Sequence, residues 1–214
     1  EFNYSAINNF AVREARGEYL LFLNNDVEII TENWLEEMLQ LCQQKDVGMV
    51  GAKLYYPDDT IQHAGVVFGL GGVAAHVLCK LPRDAEGYMG RLRCVQEISA
   101  VTAACMMVKT SVFKAVGGFD EELKVAFNDI DLCMKVRKYG VKIVFTPYAE
   151  LYHYESKSRG MEDTPEKQLR FSREVNCFRR KWERELLKGD PYYNPNLTLN
   201  NTDCSLRKQE KNGD

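Results

Sequence analysis

The sequence predicts an α/β fold in which helices cover a parallel sheet. Segments with apolar residues at helical spacing alternate with short apolar runs that are typical of buried strands. The chain has 214 residues, of which 45% are hydrophobic and 28% charged, enough apolar surface for one compact domain. Disorder as the main state is therefore excluded.

The first part of the chain contains two helix–strand units. Ser5 can cap a helix that ends near Gly17, and the apolar run 18–23 then predicts a buried strand. Thr31 can begin the next helix, which leads into a second apolar run at 47–55. Because each helix leads directly into a strand, this order favours a parallel sheet.

The middle of the chain predicts one strand and a long loop. Residues 57–60 have the composition of a turn, and residues 61–68 predict a strand. The Gly-rich segment 69–93 has mixed charge and little periodicity, so we interpret it as a functional loop. A second apolar run, 98–109, precedes a short helix that begins after Ser111.

The following segment predicts a helix and two short strands. Asn128 or Asp129 can cap a helix that Gly140 terminates. Two short strands then lie on either side of Pro147.

The last segment predicts a long amphipathic helix that begins at Thr164 and ends at Gly189. It carries eight basic and four acidic residues between positions 166 and 188. That charge could hold the protein near an anionic membrane, although a solvated outer face is the simpler interpretation. We expect residues 1–189 to form the domain and residues 190–214 to form a polar, mobile tail.

Charge, hydropathy and cysteine usage exclude several classes of protein. The 28 basic and 31 acidic side chains nearly cancel, which argues against nucleic-acid binding. The longest stretch without charged or strongly polar residues, 64–75, has only 12 residues, so no transmembrane segment is predicted. Seven scattered cysteines without a C-x-x-C pair predict reduced thiols and a cytoplasmic protein.

The most distinctive motif is a buried strand that ends abruptly at Asn24, Asn25 and Asp26. Ligands bind at the carboxyl ends of strands in open α/β sheets. A divalent cation such as Mg²⁺ or Mn²⁺ takes one or two carboxylates together with phosphate oxygens and waters, which Asp26 with Asn24 could satisfy. A plain strand-to-helix turn is the alternative interpretation.

A second motif places Asp129 and Asp131 at the start of a helix. Residues two apart do not share a helix face, so we expect no joint metal site, with one residue capping and the other pointing outward. A carboxylate at the position of Asp129 could take a proton from an attacking hydroxyl. A simple N-cap is the alternative.

The three histidines carry a weaker signal. Strand alternation places Leu151, His153 and Glu155 on one side of a strand. A single histidine is more often a hydrogen-bonded structural residue than a ligand, and the same holds for His63 and His76. Zinc-type histidine pairs, a Gly-x-Ser-x-Gly elbow and a phosphate-binding glycine loop are all missing from the sequence.

Together, these motifs resemble family-2 glycosyltransferases of the GT-A fold, close to the rhamnosyltransferase-like bacterial branch. The resemblance runs from Phe2 to about Leu199, and its segments follow in the family's order at 2–9, 18–28, 47–54, 61–65, 117–121, 128–133 and 151–155. It implies a mixed, mostly parallel sheet flanked by helices. It also implies that a sugar passes from a nucleoside-diphosphate sugar to an acceptor hydroxyl, with inversion, in bacterial surface polysaccharide synthesis.

The resemblance also assigns roles to single residues. Asp26 matches the last carboxylate of the family's Asp-x-Asp motif and would bind the divalent metal, next to Asn24 and Asn25 in the donor-binding segment. Asn24 stands where the first Asp is usual, which leaves metal dependence open. His153 falls where some relatives carry a metal or diphosphate ligand. Asp129 matches the catalytic base, and we expect it to face Asp26 across one cleft. The acceptor pocket would be lined by Ala103, Ala104, Cys105 and Asn128.

One departure concerns the start of the chain. About 23 residues precede Asn24, where relatives have about two βα units, or roughly 80 to 100 residues. We therefore expect a fragment with an incomplete nucleotide-binding half, weak nucleotide binding and an exposed sheet edge that favours self-association. The expected partners are a nucleotide-sugar donor and a saccharide or lipid-linked saccharide acceptor. A noncatalytic module that binds a glycan or a partner protein is the alternative function.

Overall fold

The computed structural model describes residues 2–155 and 164–208. Its α-helices are α1 (Tyr4–Glu14), α2 (Trp34–Cys42), α3 (Thr110–Ala115), α4 (Asn128–Tyr139) and α5 (Pro165–Lys188). Its strands are β1 (Tyr19–Leu23), β2 (Val27–Ile29), β3 (Val47–Tyr55), β4 (Ile61–His63), β5 (Val66–Phe68), β6 (Ala74–His76), β7 (Gln96–Glu97), β8 (Cys105–Lys109) and β9 (Lys142–His153). Short 3-10 helices cover Leu70–Gly72 and Tyr88–Arg93.

The main sheet has the strand order β1-β8-β3-β9-β2, with β4 beside β3 and β7 beside β9. Of the strand pairs in this sheet, within the residues that the structure describes, β3 and β9 alone run parallel. The predicted α/β class with a mixed sheet is confirmed, but the prediction that the sheet is mostly parallel is wrong. The reason is that β8 enters between β1 and β3 in the opposite direction.

Helices cover both faces of the sheet. All nine residues of β3 are buried, as expected for a central strand packed on both sides. One face packs against α2 through Trp34, Met38 and Cys42. The other face packs against a larger cluster that includes residues of α1, α3, α4 and α5. At Gly51 an added Cβ would lie 2.3 Å from the Val101 side chain, so the close packing of this face requires glycine there.

Three predicted elements have different boundaries in the structure. The α1 cap is Asn3, whose side chain accepts a hydrogen bond from the Ala6 N–H, because the Ser5 hydroxyl is buried and donates to the Leu123 carbonyl. The predicted strand 61–68 divides into β4 and β5 at Gly65, which has φ of +107°. The two short strands predicted around Pro147 are one strand, β9, whose register against β3 shifts there.

Residues 190–208, which the sequence predicts as part of a polar, mobile tail, pack against the domain. Tyr193, Leu197 and Cys204 are buried in the larger core cluster. The Leu78 N–H donates to the Thr202 carbonyl at 2.6 Å, and the Gly71 N–H donates to the Leu199 carbonyl at 2.9 Å. Apolar residues in an otherwise polar segment thus fix it over the loop 69–93. The rest of the predicted tail lies outside the described residues.

Helix α5 is long and amphipathic, as predicted from residues 164–189. Phe178 and Trp182 are buried, and the Glu174 carboxylate accepts from the backbone N–H groups of Val125 and Ala126 at 3.0 Å each. In the part of the chain that the structure describes, none of the helices is both long and apolar enough to cross a bilayer.

Candidate active site

The turn that carries Asp26 is held by backbone hydrogen bonds on both sides. The Asn24 N–H donates to the Ala104 carbonyl at 3.0 Å, and the Tyr154 N–H donates to the Asp26 carbonyl at 2.8 Å. Because β2 follows the turn and pairs with the end of β9, Asp26 lies beside His153. The Asp26 Oδ1 is 3.2 Å from His153 Nε2, and the two side chains are only 14% and 10% exposed.

The hydrogen bonds of His153 indicate its tautomer. Gln62 donates through Nε2 to the His153 carbonyl, so its Oε1, 2.7 Å from His153 Nδ1, is the acceptor. His153 Nδ1 therefore carries the hydrogen, and Nε2 accepts from the Asn24 amide at 3.1 Å. Burial lowers the pKa of His153, and the Asp26 charge opposes this only in part, in agreement with a neutral ring.

Asp26 and His153 together fit a divalent cation. Asp26 Oδ1 is buried and has no hydrogen-bond partner among the described residues, although it lies 3.2 Å from the unprotonated Nε2 of His153. Two ligands at right angles around a metal at about 2.1 Å are themselves about 3 Å apart, so the two acceptor atoms could share one ion. Within residues 2–155 and 164–208, no three His, Cys, Asp or Glu side chains form a metal cluster. The other ligands would therefore be substrate oxygens and waters, as is usual for Mg²⁺.

Asp129 lies in the first turn of α4, where backbone N–H groups orient its carboxylate. Oδ1 accepts from the Ile130 N–H at 2.8 Å, and Oδ2 accepts from the Ala103 N–H at 3.2 Å. The N-cap position belongs to Phe127, in the left-handed conformation with φ of 61°, so the prediction that Asn128 or Asp129 caps this helix is wrong. Asn128 is buried and donates through its side chain to the Val125 carbonyl.

Two adjacent residues connect the predicted metal ligand with the predicted base. Ala104 accepts from the Asn24 backbone, next to Asp26, while Ala103 donates to Asp129. The Tyr4 hydroxyl donates to the Ala103 carbonyl at 3.2 Å. Burial, with a smaller contribution from the Asp129 charge, raises the pKa of Tyr4, so this hydroxyl stays neutral. The segment 103–104 thus contacts Asp129 through Ala103 and Asn24, two residues before Asp26, through Ala104.

Cys105 and Asp131 lie away from this site. The Cys105 side chain is fully buried, its Sγ is 3.8 Å from Met38 Sδ on the α2 side of the sheet, and burial raises its pKa to about 12. This geometry gives no support to a role for Cys105 in acceptor binding. Asp131 is fully buried and accepts from the Trp182 indole at 2.8 Å, so the prediction that it points outward is wrong.

A cavity of about 1320 Å³ lies elsewhere, and neither Asp26 nor Asp129 lines it. Its lining includes Lys53, Arg83, Tyr148 and Glu150. The expected cleft between the two aspartates therefore stays a prediction.

Sequence reasoning treats His63 and His76 as structural residues and does not predict their contact beside the site. His63 and His76 contact each other through their Nδ1 atoms at 2.9 Å, and His63 Nε2 accepts from the Thr102 N–H at 3.4 Å. No spacing rule relates two histidines 13 positions apart, because they meet only after β4 has paired with β3 in the main sheet and β6 with β5 in a separate two-stranded sheet.

Two solved structures share the fold of this chain. A mannosyltransferase from Pyrobaculum calidifontis, in complex with GDP-Man and Mn²⁺, matches with a TM-score of 0.54 and 16% identity over 84% of this chain and 43% of that chain. GalNAc-T7 with UDP, GalNAc and Mn²⁺ matches with a TM-score of 0.61 and 13% identity over 86% of this chain and 36% of that chain. The described residues therefore have the GT-A fold, as predicted.

The sequence itself shows the family. Residues 2–174 match the family described as "Glycosyltransferase like family". The chain belongs to this family of glycosyltransferases, which confirms the resemblance deduced from the motifs.

Two relatives cover almost the whole chain. The protein named "Uncharacterized protein y4gI" from Sinorhizobium fredii is 58% identical over 96% of this chain, which is 23% of that protein. The "O-antigen biosynthesis protein RfbC" from Myxococcus xanthus is 42% identical over 100% of this chain and 16% of its own length. The chain thus spans less than a quarter of the length of these relatives.

Proposed function

We propose that this chain is an inverting glycosyltransferase domain. It transfers a sugar from a nucleoside-diphosphate sugar to a saccharide or lipid-linked saccharide acceptor during synthesis of a bacterial surface polysaccharide. The observation that carries the proposal is that Ala103 donates to Asp129 while Ala104 accepts from Asn24, whose side-chain amide contacts His153. The name of the Myxococcus xanthus relative supports the pathway class, and the sugar nucleotides named with the solved structures support the donor class.

The donor end of the site is the turn from Asn24 to Asp26. Asp26 Oδ1 and His153 Nε2 would hold the divalent cation, Mn²⁺ or Mg²⁺, and Asn24 and Asn25 would lie beside the donor diphosphate. When bound, such a cation neutralises the charge that develops on the leaving diphosphate. Gln62 keeps the hydrogen of His153 on Nδ1, so the Nε2 lone pair, which accepts from the Asn24 amide in this structure, could bind the cation in place of that hydrogen bond.

The acceptor end of the site is Asp129. Backbone N–H groups occupy one lone pair on each of its oxygens, which orients the carboxylate and leaves a second lone pair on each oxygen. The acceptor hydroxyl donates its proton to Asp129 while its oxygen bonds to the anomeric carbon and the nucleoside diphosphate leaves with the bonding electron pair. Because this is a single in-line displacement, the anomeric configuration inverts.

A noncatalytic glycan-binding module is the second candidate. The observation that favours it is the cavity of about 1320 Å³ away from Asp129, lined by carboxylates, cations and Tyr148. Such a module would release no nucleoside diphosphate from any sugar nucleotide.

The test is a screen of sugar nucleotides that measures released nucleoside diphosphate, with and without Mn²⁺, in the presence and absence of saccharide acceptors. It should be run on this chain and on the natural protein that contains it. We expect acceptor-dependent release with one donor, and a product with the opposite anomeric configuration by NMR. Retention of configuration would contradict the inverting mechanism, and absence of release with every donor would contradict the enzyme function.

Membrane contact through α5 and self-association through the outer edge of β1 are further parts of the proposal. Part of the α5 charge is used within the domain, because Lys181 pairs with Asp120 and Asp131, and Arg179 donates to the Gly72 carbonyl. Cosedimentation with vesicles of phosphatidylcholine, with and without phosphatidylglycerol, measures whether the remaining positive charge of α5 binds an anionic membrane. Equal binding to both vesicles would exclude an electrostatic membrane contact.

A further inference from the structure

The histidines at positions 63 and 76 form a pair beside the segment that holds Asp129. His63 is fully buried, and His76 is half-buried. Their Nδ1 atoms are 2.9 Å apart, and the rings meet edge to face with centroids 4.9 Å apart. The Thr102 N–H donates to His63 Nε2 at 3.4 Å, and the next residue, Ala103, donates to Asp129.

These contacts assign a hydrogen to one nitrogen of each ring. A backbone N–H can only donate, so His63 Nε2 must be an acceptor. A neutral imidazole has one hydrogen, which in His63 is then on Nδ1 and points at His76 Nδ1. His76 Nδ1 accepts that hydrogen bond, so the hydrogen of His76 is on Nε2. The hydrogen bond from Thr102 to His63 therefore determines, through the contact between the two rings, that His76 carries its hydrogen on Nε2.

The electrostatic surroundings agree with two neutral rings. Burial lowers the pKa of His63, and the proximity of His76 and His153 lowers it further. Burial also lowers the pKa of His76, where His153 acts in the same direction and the charges of Asp129 and Glu155 oppose it. Asp129, the proposed base, is thus one of the two acids whose charge raises the pKa of His76.

The donor on His76 has no acceptor among the residues that the structure describes. Within residues 2–155 and 164–208, the structure gives His76 a hydrogen bond to His63 and to no other group. A polar N–H in a half-buried position, beside the segment that holds the proposed base, is suited to an oxygen of a bound substrate.

We propose that the Nε2–H of His76 donates a hydrogen bond to a saccharide oxygen at the Asp129 site, with His63 acting as the positioning residue that fixes the tautomer. This inference rests on the proposed function. It specifies the acceptor as a saccharide with two adjacent oxygens, one hydroxyl donating to Asp129 and its neighbour accepting from His76. His76 would therefore determine which hydroxyl of the acceptor is glycosylated.

The first test reads the tautomers without any activity. Long-range ¹H–¹⁵N correlation spectra of the ¹⁵N-labelled chain at neutral pH resolve the ring nitrogens, and only three histidines need assignment. We expect hydrogen on Nδ1 of His63 and on Nε2 of His76. The opposite tautomer on either ring, or a protonated imidazolium, would overturn the inference.

The second test compares matched variants. His76→Phe keeps a ring but removes the donor, and we expect it to raise the acceptor KM about tenfold while the donor KM and the melting temperature stay close to those of the parent. His63→Gln can accept from Thr102 and donate to His76, so it should retain the parent KM. His63→Leu leaves the His76 tautomer unfixed, so only part of the population keeps the Nε2–H donor in the required form, and it should raise the acceptor KM by less than His76→Phe. Unchanged acceptor KM in both His76→Phe and His63→Leu would overturn the inference but not the proposed function.

If the chain shows no detectable sugar transfer, a binding experiment can still test the inference. Methyl glucoside, methyl mannoside and methyl rhamnoside are then titrated while the His76 Nε2 resonance is followed. We expect at least one of the three to shift it, and to shift it less in Asp129→Asn. No shift with any of them would overturn the inference, whereas a shift without transfer would count against the proposed enzyme function alone.

Discussion

Asp26 and Asp131 are both shielded carboxylates, but their surroundings differ in charge. Asp131 is fully buried and is compensated by two ammonium groups, Lys135 Nζ at 3.1 Å and Lys181 Nζ at 2.8 Å. Asp26 faces a histidine whose pKa is lowered and whose nearest nitrogen is an acceptor. The difference indicates that Asp131 stabilises the packing of α4 against α5, and it agrees with the proposal that Asp26 binds a cation.

The largest effect is expected at Asp129, where substitution should lower turnover without a change in the fold. Asp129→Asn keeps the shape of the side chain but removes the base, so turnover should fall by roughly 10²- to 10⁴-fold. Steady-state kinetics at saturating donor and acceptor measure it, with circular dichroism as the control for folding. Turnover equal to that of the parent would show that another group accepts the proton.

Asp131→Asn should instead act on stability. Removal of this charge leaves Lys135 and Lys181 uncompensated beside a buried amide, which should lower the free energy of unfolding by about 3 kcal/mol. Urea denaturation measures this. The control is Asp120→Asn, which removes a more exposed partner of Lys181 and should cost at most about 1 kcal/mol. An equal loss of the free energy of unfolding in the two variants would show that Asp131 contributes no more to stability than a more exposed ion pair does.

Asp26→Asn should weaken cation binding without a comparable loss of stability. We expect the affinity for Mn²⁺, in the presence of UDP, to fall at least about tenfold. Loss of a residue that only supports a metal ligand already lowers metal affinity by about that factor, and loss of a direct ligand should cost no less. Calorimetric titration measures it, and Asp58→Asn, at an exposed turn, is the matched control. Unchanged Mn²⁺ affinity in Asp26→Asn would exclude Asp26 as a ligand.

The smallest effect expected is a loss of stability in mild acid. Burial lowers the pKa of His63, His76 and His153 below the usual value of 6.5. Below pH 6.5 the unfolded chain binds protons that the folded chain does not, so the free energy of unfolding should fall as the pH drops. Urea denaturation at about pH 7.5 and about pH 5.5 measures it, well above the range in which Asp and Glu titrate.

The matched control for this effect is His63→Gln, which removes one of the three titrating rings and should have a shallower pH dependence. A free energy of unfolding that rises on acidification would contradict the neutral state of these histidines.

Local patterns predicted the elements that depend on local sequence. The helical spacing around Met38, the apolar run of β3 and the glycine that terminates α4 all appear in the structure at the predicted places. A turn at Asp26 also follows from a local signal, a strand that ends in amides and a carboxylate, but the turn leads into strand β2 and not directly into a helix.

Features that depend on distant parts of the chain could not be predicted from local patterns. The insertion of β8 between β1 and β3 is determined by long-range pairing, which periodicity does not encode. The contact between His63 and His76 arises from the path of the loop between them. Burial of Asp131 depends on Trp182, 51 positions away, and the docking of residues 190–208 depends on a few apolar side chains in a polar context.

The docked C-terminal segment determines where the chain can be cut. The family match ends at residue 174, yet Phe178, Trp182, Tyr193 and Leu197 all belong to the larger core cluster. A recombinant product trimmed to the matched residues would expose that apolar surface and lose the backbone bonds that support Gly71 and Leu78, next to His76. The C-terminal boundary for recombinant expression of this chain is thus better chosen from its packing than from its family motifs. It should lie beyond Cys204.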